Sequence, residues 1–170
     1  GQSGPVNFAS GTTIYGGHQP VSSDTLFQAG SITKSFTSMI VLQLEAEGKL
    51  NIDDPITKYL PQYASRWHEV TIRELLNHTS GIFNYTETGQ FNRIRTTDPE
   101  AGFTPEEIVR IASAHPDYFP PGRGFKYSNT NYVLAGMIIQ AVTGLPISQV
   151  MDRYLHDDSH LNLLNPYYLP

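Results

Sequence analysis

Residues 31–47 can do little other than form a buried helix. Ile32, Phe36 and Ile40 recur at helical spacing. The run Met39-Ile40-Val41-Leu42 makes the segment apolar nearly all round, which places it in the interior of a fold. Gly48 follows as a C-terminal cap. A second segment of the same kind spans residues 129–142 and closes at Gly144. Two such helices are expected to pack together, so the architecture is predicted to be mainly helical.

The remaining elements are read from their ends. Thr71-Ile72-Arg73-Glu74 is a capping box, in which hydroxyl and carboxylate each satisfy a free backbone N–H, and it starts a short helix to residue 77 or 78. Thr104-Pro105-Glu106-Glu107 is another, with proline at the first helical position, for a helix to residue 114. Asp53-Asp54-Pro55 has the form of a helix start, with a short turn over 56–60 that ends at Pro61. An amphipathic helix is predicted from Pro146 to about residue 155, and the tail 161–170 is apolar and partly extended. Residues 84–102 hold no period and many polar residues, which predicts a long surface loop of a length more often functional than idle. Pro116, Pro120, Pro121, Gly122 and Gly124 make a rigid approach to Tyr127.

Strand signal is confined to the N-terminal part. One strand is predicted over 7–15, with Gly16-Gly17 as its turn, and a short extended piece over 25–27. Two strands alone rarely make a stable sheet. They are expected to pair with strands from elsewhere, leaving an exposed edge that invites another chain.

Composition narrows the function. The 170 residues are 39% hydrophobic and 16% charged, as in ordinary globular proteins. Sixteen acids against eleven Lys and Arg give a net charge of −5, with no footprint for nucleic acid and no polybasic membrane patch. No apolar run approaches a membrane span. With no cysteine, disulfides, thiol catalysis and cysteine-bound zinc are excluded. Gly1-Gln2-Ser3-Gly4 reads as a trimmed end, with no signal peptide visible.

Chemistry concentrates at two helix mouths. Gly30-Ser31-Ile32-Thr33-Lys34 opens the first apolar helix. Residues three apart share a helix face, so the Lys34 amine can lie near the Ser31 hydroxyl. A serine is a weak nucleophile until a base takes its proton, and a helix N-terminus offers free N–H groups to a developing oxyanion. An N-cap explains Ser31 equally well when the pair is taken alone. Tyr127-Ser128-Asn129 stands at the mouth of the second apolar helix in the same way. A phenol beside cations can shuttle a proton, and an Asn amide can donate to a substrate carbonyl while accepting from Lys34. As a purely structural element, Ser128 or Asn129 would cap the helix and Tyr127 would pack.

The chain resembles the penicillin-recognising serine hydrolases: class C β-lactamases, serine D-Ala-D-Ala carboxypeptidases and related esterases. The resemblance runs in order through Phe27-Gln28-Ala29-Gly30-Ser31-Ile32-Thr33-Lys34-Ser35-Phe36, residues 42–50, Asp54-Pro55 and Tyr59-Leu60-Pro61. It continues through Leu75-Leu76-Asn77-His78-Thr79-Ser80-Gly81-Ile82, Pro120-Pro121-Gly122, residues 127–136 and Val142-Thr143-Gly144. The run 127–136 looks most like the carboxypeptidase branch. The implied fold class is α+β, β-lactamase/transpeptidase-like. Residues 1–30 would be a strand segment of the mixed α/β lobe, and 31–170 the predominantly helical lobe. By resemblance Ser31 forms the acyl-enzyme, Lys34 and Tyr127 share the proton work, and Asn129 binds the substrate amide and Lys34. The backbone N–H of Ser31 is one oxyanion donor.

The resemblance also implies an acyl-hydrolase of the D-Ala-D-Ala carboxypeptidase type on peptidoglycan-type peptides, with β-lactamase or small-ester hydrolase as the alternative. It needs no cofactor and no metal. Its partners would be a small-molecule or peptide substrate, including a covalently bound β-lactam, and its setting a bacterial periplasm, cell envelope or exterior. The family's third motif, Lys-Thr-Gly or His-x-Gly on a sheet strand, is not found in residues 145–170. The chain is therefore expected to be the N-terminal portion only, without the C-terminal sheet strands and in need of the rest of the protein or another chain. Loss of one oxyanion donor costs on the order of hundredfold in rate, so this chain alone is expected to be weakly active or inactive. A binding or scaffolding domain is the reading from a different class.

Other residues are assigned quieter roles. His156 and His160 have helical metal-ligand spacing, but Asp157-Asp158-Ser159 between them looks like a helix end and no third ligand stands out. His78 is read as structural, its ring satisfying backbone groups in the turn before Gly81. Phe83, Tyr85 and Tyr118 either line the cleft or pack. Asp53-Asp54 is read as a helix start rather than a catalytic dyad.

Overall fold

A computed structural model describes residues 7–97 and 102–154. The chain divides into two compact units, Gly1–Ile32 and Thr33–Pro170.

Among the described residues of the first unit there is no regular strand. The segment predicted as a strand over 7–15 contributes one isolated antiparallel bridge, Thr12 to Pro20. Thr13 N donates to Gln19 O at 2.9 Å and Val21 N to Gly11 O at 3.0 Å, across a turn closed by Gly17 N to Ile14 O. A lone hairpin of this size is at best marginal in water, and Phe8, Ile14 and Tyr15 all remain exposed. Without a strand there is no sheet edge among the described residues. The unit ends in a single 3-10 turn, Gly30–Ile32.

The second unit is helical. Helix α1 (Thr33–Ala46) and the later α6 (Asn129–Thr143) are the two apolar segments, and they pack together. Between them lie α2 (Ala64–Trp67), α3 (Ile72–Leu76), α4 (Gly89–Thr97) and α5 (Pro105–Ser113), and α7 (Ile147–Asp152) follows. Helix α6 is the hub, in contact with α1, α3, α5 and α7. The core joins Ile40, Val41 and Leu44 of α1 to Leu134, Ile138 and Ile139 of α6, with Ile72, Leu75, Val109 and Val150 closing round them, all at most 1% exposed. Truncating a side chain so enclosed costs about 2–5 kcal/mol.

Both capping boxes form: Thr71 Oγ1 accepts from Glu74 N while the Glu74 carboxylate accepts from Thr71 N, and Thr104 and Glu107 do the same. Helix α6 stops where Gly144 takes φ +69°, a left-handed conformation that lets its N–H reach Gln140 O at 2.8 Å. The segment 56–60 forms a 3-10 turn, Ile56–Lys58.

The region read as a long loop differs. It contains a 3-10 turn, Tyr85–Glu87, and then α4. Thr88 links the two, its hydroxyl donating to Tyr85 O and accepting from Phe91 N. Phe91 stands edge-on to Tyr85, with centroids 4.8 Å apart, and lies 5.8 Å from Phe103. An aromatic contact between Phe91 and its neighbours thus helps to hold a helix whose sequence carries no periodic signal. The tail 161–170 and the pair His156 and His160 lie outside the described residues.

Candidate active site

Helix α6 begins in an unusual way. Ser128 occupies the N-cap position with extended backbone, yet its side chain makes no capping bond. Its hydroxyl donates to Phe83 O instead, at 3.3 Å. The cap comes from a distant residue: Asn84 Oδ1 accepts from Asn129 N at 3.1 Å. Thr130 ties the same strip down by donating to Phe83 O and accepting from Tyr85 N. The segment 83–86 thus accepts one of the free N–H groups that every helix start exposes, that of Asn129, and ties down the hydroxyls on either side of it.

With its backbone capped from outside, Asn129 can turn its side chain elsewhere. Oδ1 accepts from Lys34 Nζ at 2.9 Å. Nδ2 faces Asn84 Oδ1 and Thr86 Oγ1, both at 3.3 Å. Lys34 is the second residue of α1, and its ammonium also lies 5.1 Å from the centre of the Tyr127 ring and 5.6 Å from that of Tyr132. A cation over such rings gains from their negative faces. Tyr132 is fixed in turn: its hydroxyl donates to Leu76 O at 2.8 Å and shares a hydrogen bond with Ser38, one turn along α1 from Lys34.

His78 lies beneath this group. It is buried, with its ring 4.5 Å from that of Tyr127 and 5.3 Å from that of Tyr132. Burial, helped by the nearby Lys34 charge, pushes its pKa below the ordinary value. Burial, and to a lesser degree Tyr127, pushes the Tyr85 phenol up. Ser80 Oγ donates to Asn131 Oδ1 at 2.8 Å in the buried layer below.

The structure therefore brings Lys34, Tyr127 and Asn129 together in the second unit. Ser31 stands in the first, exposed, in the 3-10 turn that leads directly into α1. Sequence reasoning missed three contributors. Asn84 and Thr86 lay hidden in the supposed loop. His78 does satisfy a backbone group with its ring, but that group is the N–H of Ser128, fifty residues on, rather than one in its own turn. The signal that could have found Asn84 is its position three residues after Gly81, close behind the Leu-Leu-Asn-His-Thr-Ser-Gly run. Among the described residues no helix is long and apolar enough to cross a membrane.

Comparison with known proteins gives concordant matches. A family model described as Beta-lactamase matches residues 5–162. Esterase EstB of Burkholderia gladioli is 34% identical over 144 residues, covering 79% of this chain and 36% of the esterase. Penicillin-binding protein 4* of Bacillus subtilis is 35% identical over 129 residues, covering 75% of this chain and 27% of that protein. The crystal structure of a D-stereospecific amidohydrolase from a Streptomyces species superposes with a TM-score of 0.74 at 41% identity, over 76% of this chain and 41% of that one. The chain spans about a third of the length of the curated relatives it matches.

Proposed function

We propose that this chain, which belongs to the beta-lactamase family, carries the nucleophile and the proton-transfer residues of a serine acyl-hydrolase. The observation that carries the reading is the meeting of Lys34 with both Asn129 and Tyr127. These are the residue types a serine needs when no histidine base serves it. To accept the Ser31 proton, the Tyr127–Lys34 pair must rest with one proton fewer than phenol plus ammonium, and the N–H groups at the helix mouth favour an oxyanion on the reacting carbonyl.

In the proposed sequence Ser31 Oγ attacks the substrate carbonyl as its proton passes to the Tyr127–Lys34 pair. The tetrahedral oxyanion collapses, the leaving amine or alkoxide takes that proton, and an ester on Ser31 remains. Water then attacks the ester, Tyr127 takes the proton the water loses and passes it to the departing Ser31 oxygen, and free Ser31 and the acid result. Asn129 orients Lys34 and faces the substrate amide. Its Nδ2 gives up its 3.3 Å contacts with Asn84 and Thr86 to do so.

The proposed substrates are small amides or peptides with a D-configured residue at the scissile bond, of which D-Ala-D-Ala termini are one kind. Likeness to a D-stereospecific amidohydrolase and to a penicillin-binding protein supports this. Likeness to an esterase supports small esters as a second reading. A cell-envelope or extracellular setting goes with the peptide reading. The test offers the whole protein D-alanine amide, L-alanine amide and p-nitrophenyl acetate. A kcat/KM for the D-amide at least on the order of tenfold above the L-amide is expected, since a misplaced substituent costs about 1–3 kcal/mol. Equal rates on the two amides with rapid ester cleavage would favour the ester reading.

A further inference from the structure

We infer that His78 is a positioning residue for Tyr127 and that it acts only as the neutral imidazole with its proton on Nε2. The inference rests on the reading that Tyr127 handles the proton of Ser31.

The geometry is a clamp on three sides of one residue. Lys126 N donates to His78 O at 3.0 Å. Ser128 N donates to His78 Nδ1 at 3.3 Å. These are the N–H groups of the two residues on either side of Tyr127. The His78 ring also lies against the Tyr127 ring, 4.5 Å between centres. Backbone before the tyrosine, backbone after it and the aromatic face are thus all held by His78. To present its carbonyl and its ring to the same segment, His78 adopts φ +62°, which no other described non-glycine residue does. Such conformations persist where the surroundings over-determine them, and they cluster at functional sites.

The tautomer follows from the partners. A backbone N–H can only donate, so Nδ1 must be a bare acceptor. Asn131 gives the same answer independently. Its Oδ1 is taken by the Ser80 hydroxyl at 2.8 Å, which turns its Nδ2 towards His78 Nδ1 at 3.3 Å. Two N–H groups therefore converge on one nitrogen. Protonating that nitrogen would set N–H against N–H twice over and open the clamp on the Ser128 side. Among the described residues, the titratable groups that face the ring are the Lys34 amine from α1 and the phenols of Tyr127 and Tyr132, beside the apolar ring of Phe125. None is an anion that would hold an imidazolium there.

The experiment uses the whole protein, with nitrogen-labelled histidine and ring-labelled tyrosine, followed by NMR from neutral to acid pH. The acylation rate by p-nitrophenyl acetate is measured over the same range. The expected result is an Nε2–H tautomer at His78, Tyr127 ring signals that move as His78 titrates, and an acid limb of acylation at the same pH. His78→Asn tolerates the left-handed backbone and does not titrate. It should lower the acylation rate by roughly 10–100-fold, as a misplacement of up to about 1 Å does, leave KM within about threefold, and lose that limb. His78→Phe keeps a ring without an acceptor and should fall further than the asparagine variant. An Nδ1–H tautomer, or Tyr127 signals unmoved while His78 titrates, overturns the inference. If the wild type takes no acyl group, the hydrolase reading fails, and the NMR result alone decides the clamp.

Discussion

Lys34 Nζ donates to Asn129 Oδ1 at 2.9 Å, which joins the second residue of α1 to the first of α6 across 95 positions of sequence. If the two act as a unit, their losses should not add. Lys34→Ala and Asn129→Ala are each expected to slow acylation by on the order of 10²–10³, and the double variant by much less than the product. Single-turnover kinetics on the two variants and the double variant check this. Independent, multiplicative effects would mean that the bond has no part in catalysis.

The buried bond between Ser80 and Asn131 should matter for stability. Ser80 Oγ donates to Asn131 Oδ1 and accepts from Ile82 N, and both residues are at most 2% exposed. Removing one partner strands the other without water, at a cost of about 1–3 kcal/mol. Denaturant unfolding of Ser80→Ala should show a loss in that range. A change below about 0.5 kcal/mol, the level of ordinary surface substitutions, would contradict it.

Two glycines should respond in opposite directions. A Cβ on Gly81 would meet Phe119 O at 1.9 Å, and its φ of +77° is unfavourable to any side chain. Gly81→Ala is therefore expected to cost more than about 3 kcal/mol or to prevent folding. Gly136, inside α6, has nothing within 4 Å of a new Cβ. Gly136→Ala should stabilise by about 0.5–1 kcal/mol, the helix-propensity difference. Paired melting curves test both.

These cases show which parts of the structure the sequence announces. The capping boxes at Thr71 and Thr104 and the stop at Gly144 are local chemistry, complete within four or five residues, and they form as read. The packing of α1 on α6 follows from apolar runs too long to leave in water. Helix α4 was not legible because Phe91 ties it down through partners six and twelve positions away, in Tyr85 and Phe103. The strand over 7–15 failed for the converse reason: alternation proposes a strand, but only a partner makes one. At the candidate site, Lys34, Tyr127 and Asn129 stand at helix mouths, where capping and packing explain each motif taken alone, and the ordered resemblance to a family is what singles them out. Asn84 and His78 reach the same place through hydrogen bonds to Asn129 and Ser128, 45 and 50 residues on. Only their positions, just behind and within the Leu-Leu-Asn-His-Thr-Ser-Gly run, hint at these bonds.

His78 should also leave a mark on stability. Its pKa in the folded state lies below the ordinary value near 6.5. As pH falls through 6.5 the unfolded chain takes up this proton first, so the unfolded state binds more protons than the native one. Stability then rises with pH in that window. It is fully present above pH 6.5 and declines as pH falls towards the folded-state pKa. Urea titrations of the wild type and His78→Asn, taken between pH 7.5 and 5, should show a decline in the wild type that the variant lacks in part. Parallel curves would contradict it.

The central claim is that Ser31 becomes an ester. Its most direct test is intact-protein and peptide mass spectrometry of the whole protein, quenched in acid after incubation with benzylpenicillin or an activated ester. The account predicts one added acyl group, located on the peptide that contains Ser31 and absent from Ser31→Ala. An adduct that persists in Ser31→Ala, or that maps to another residue, would contradict it.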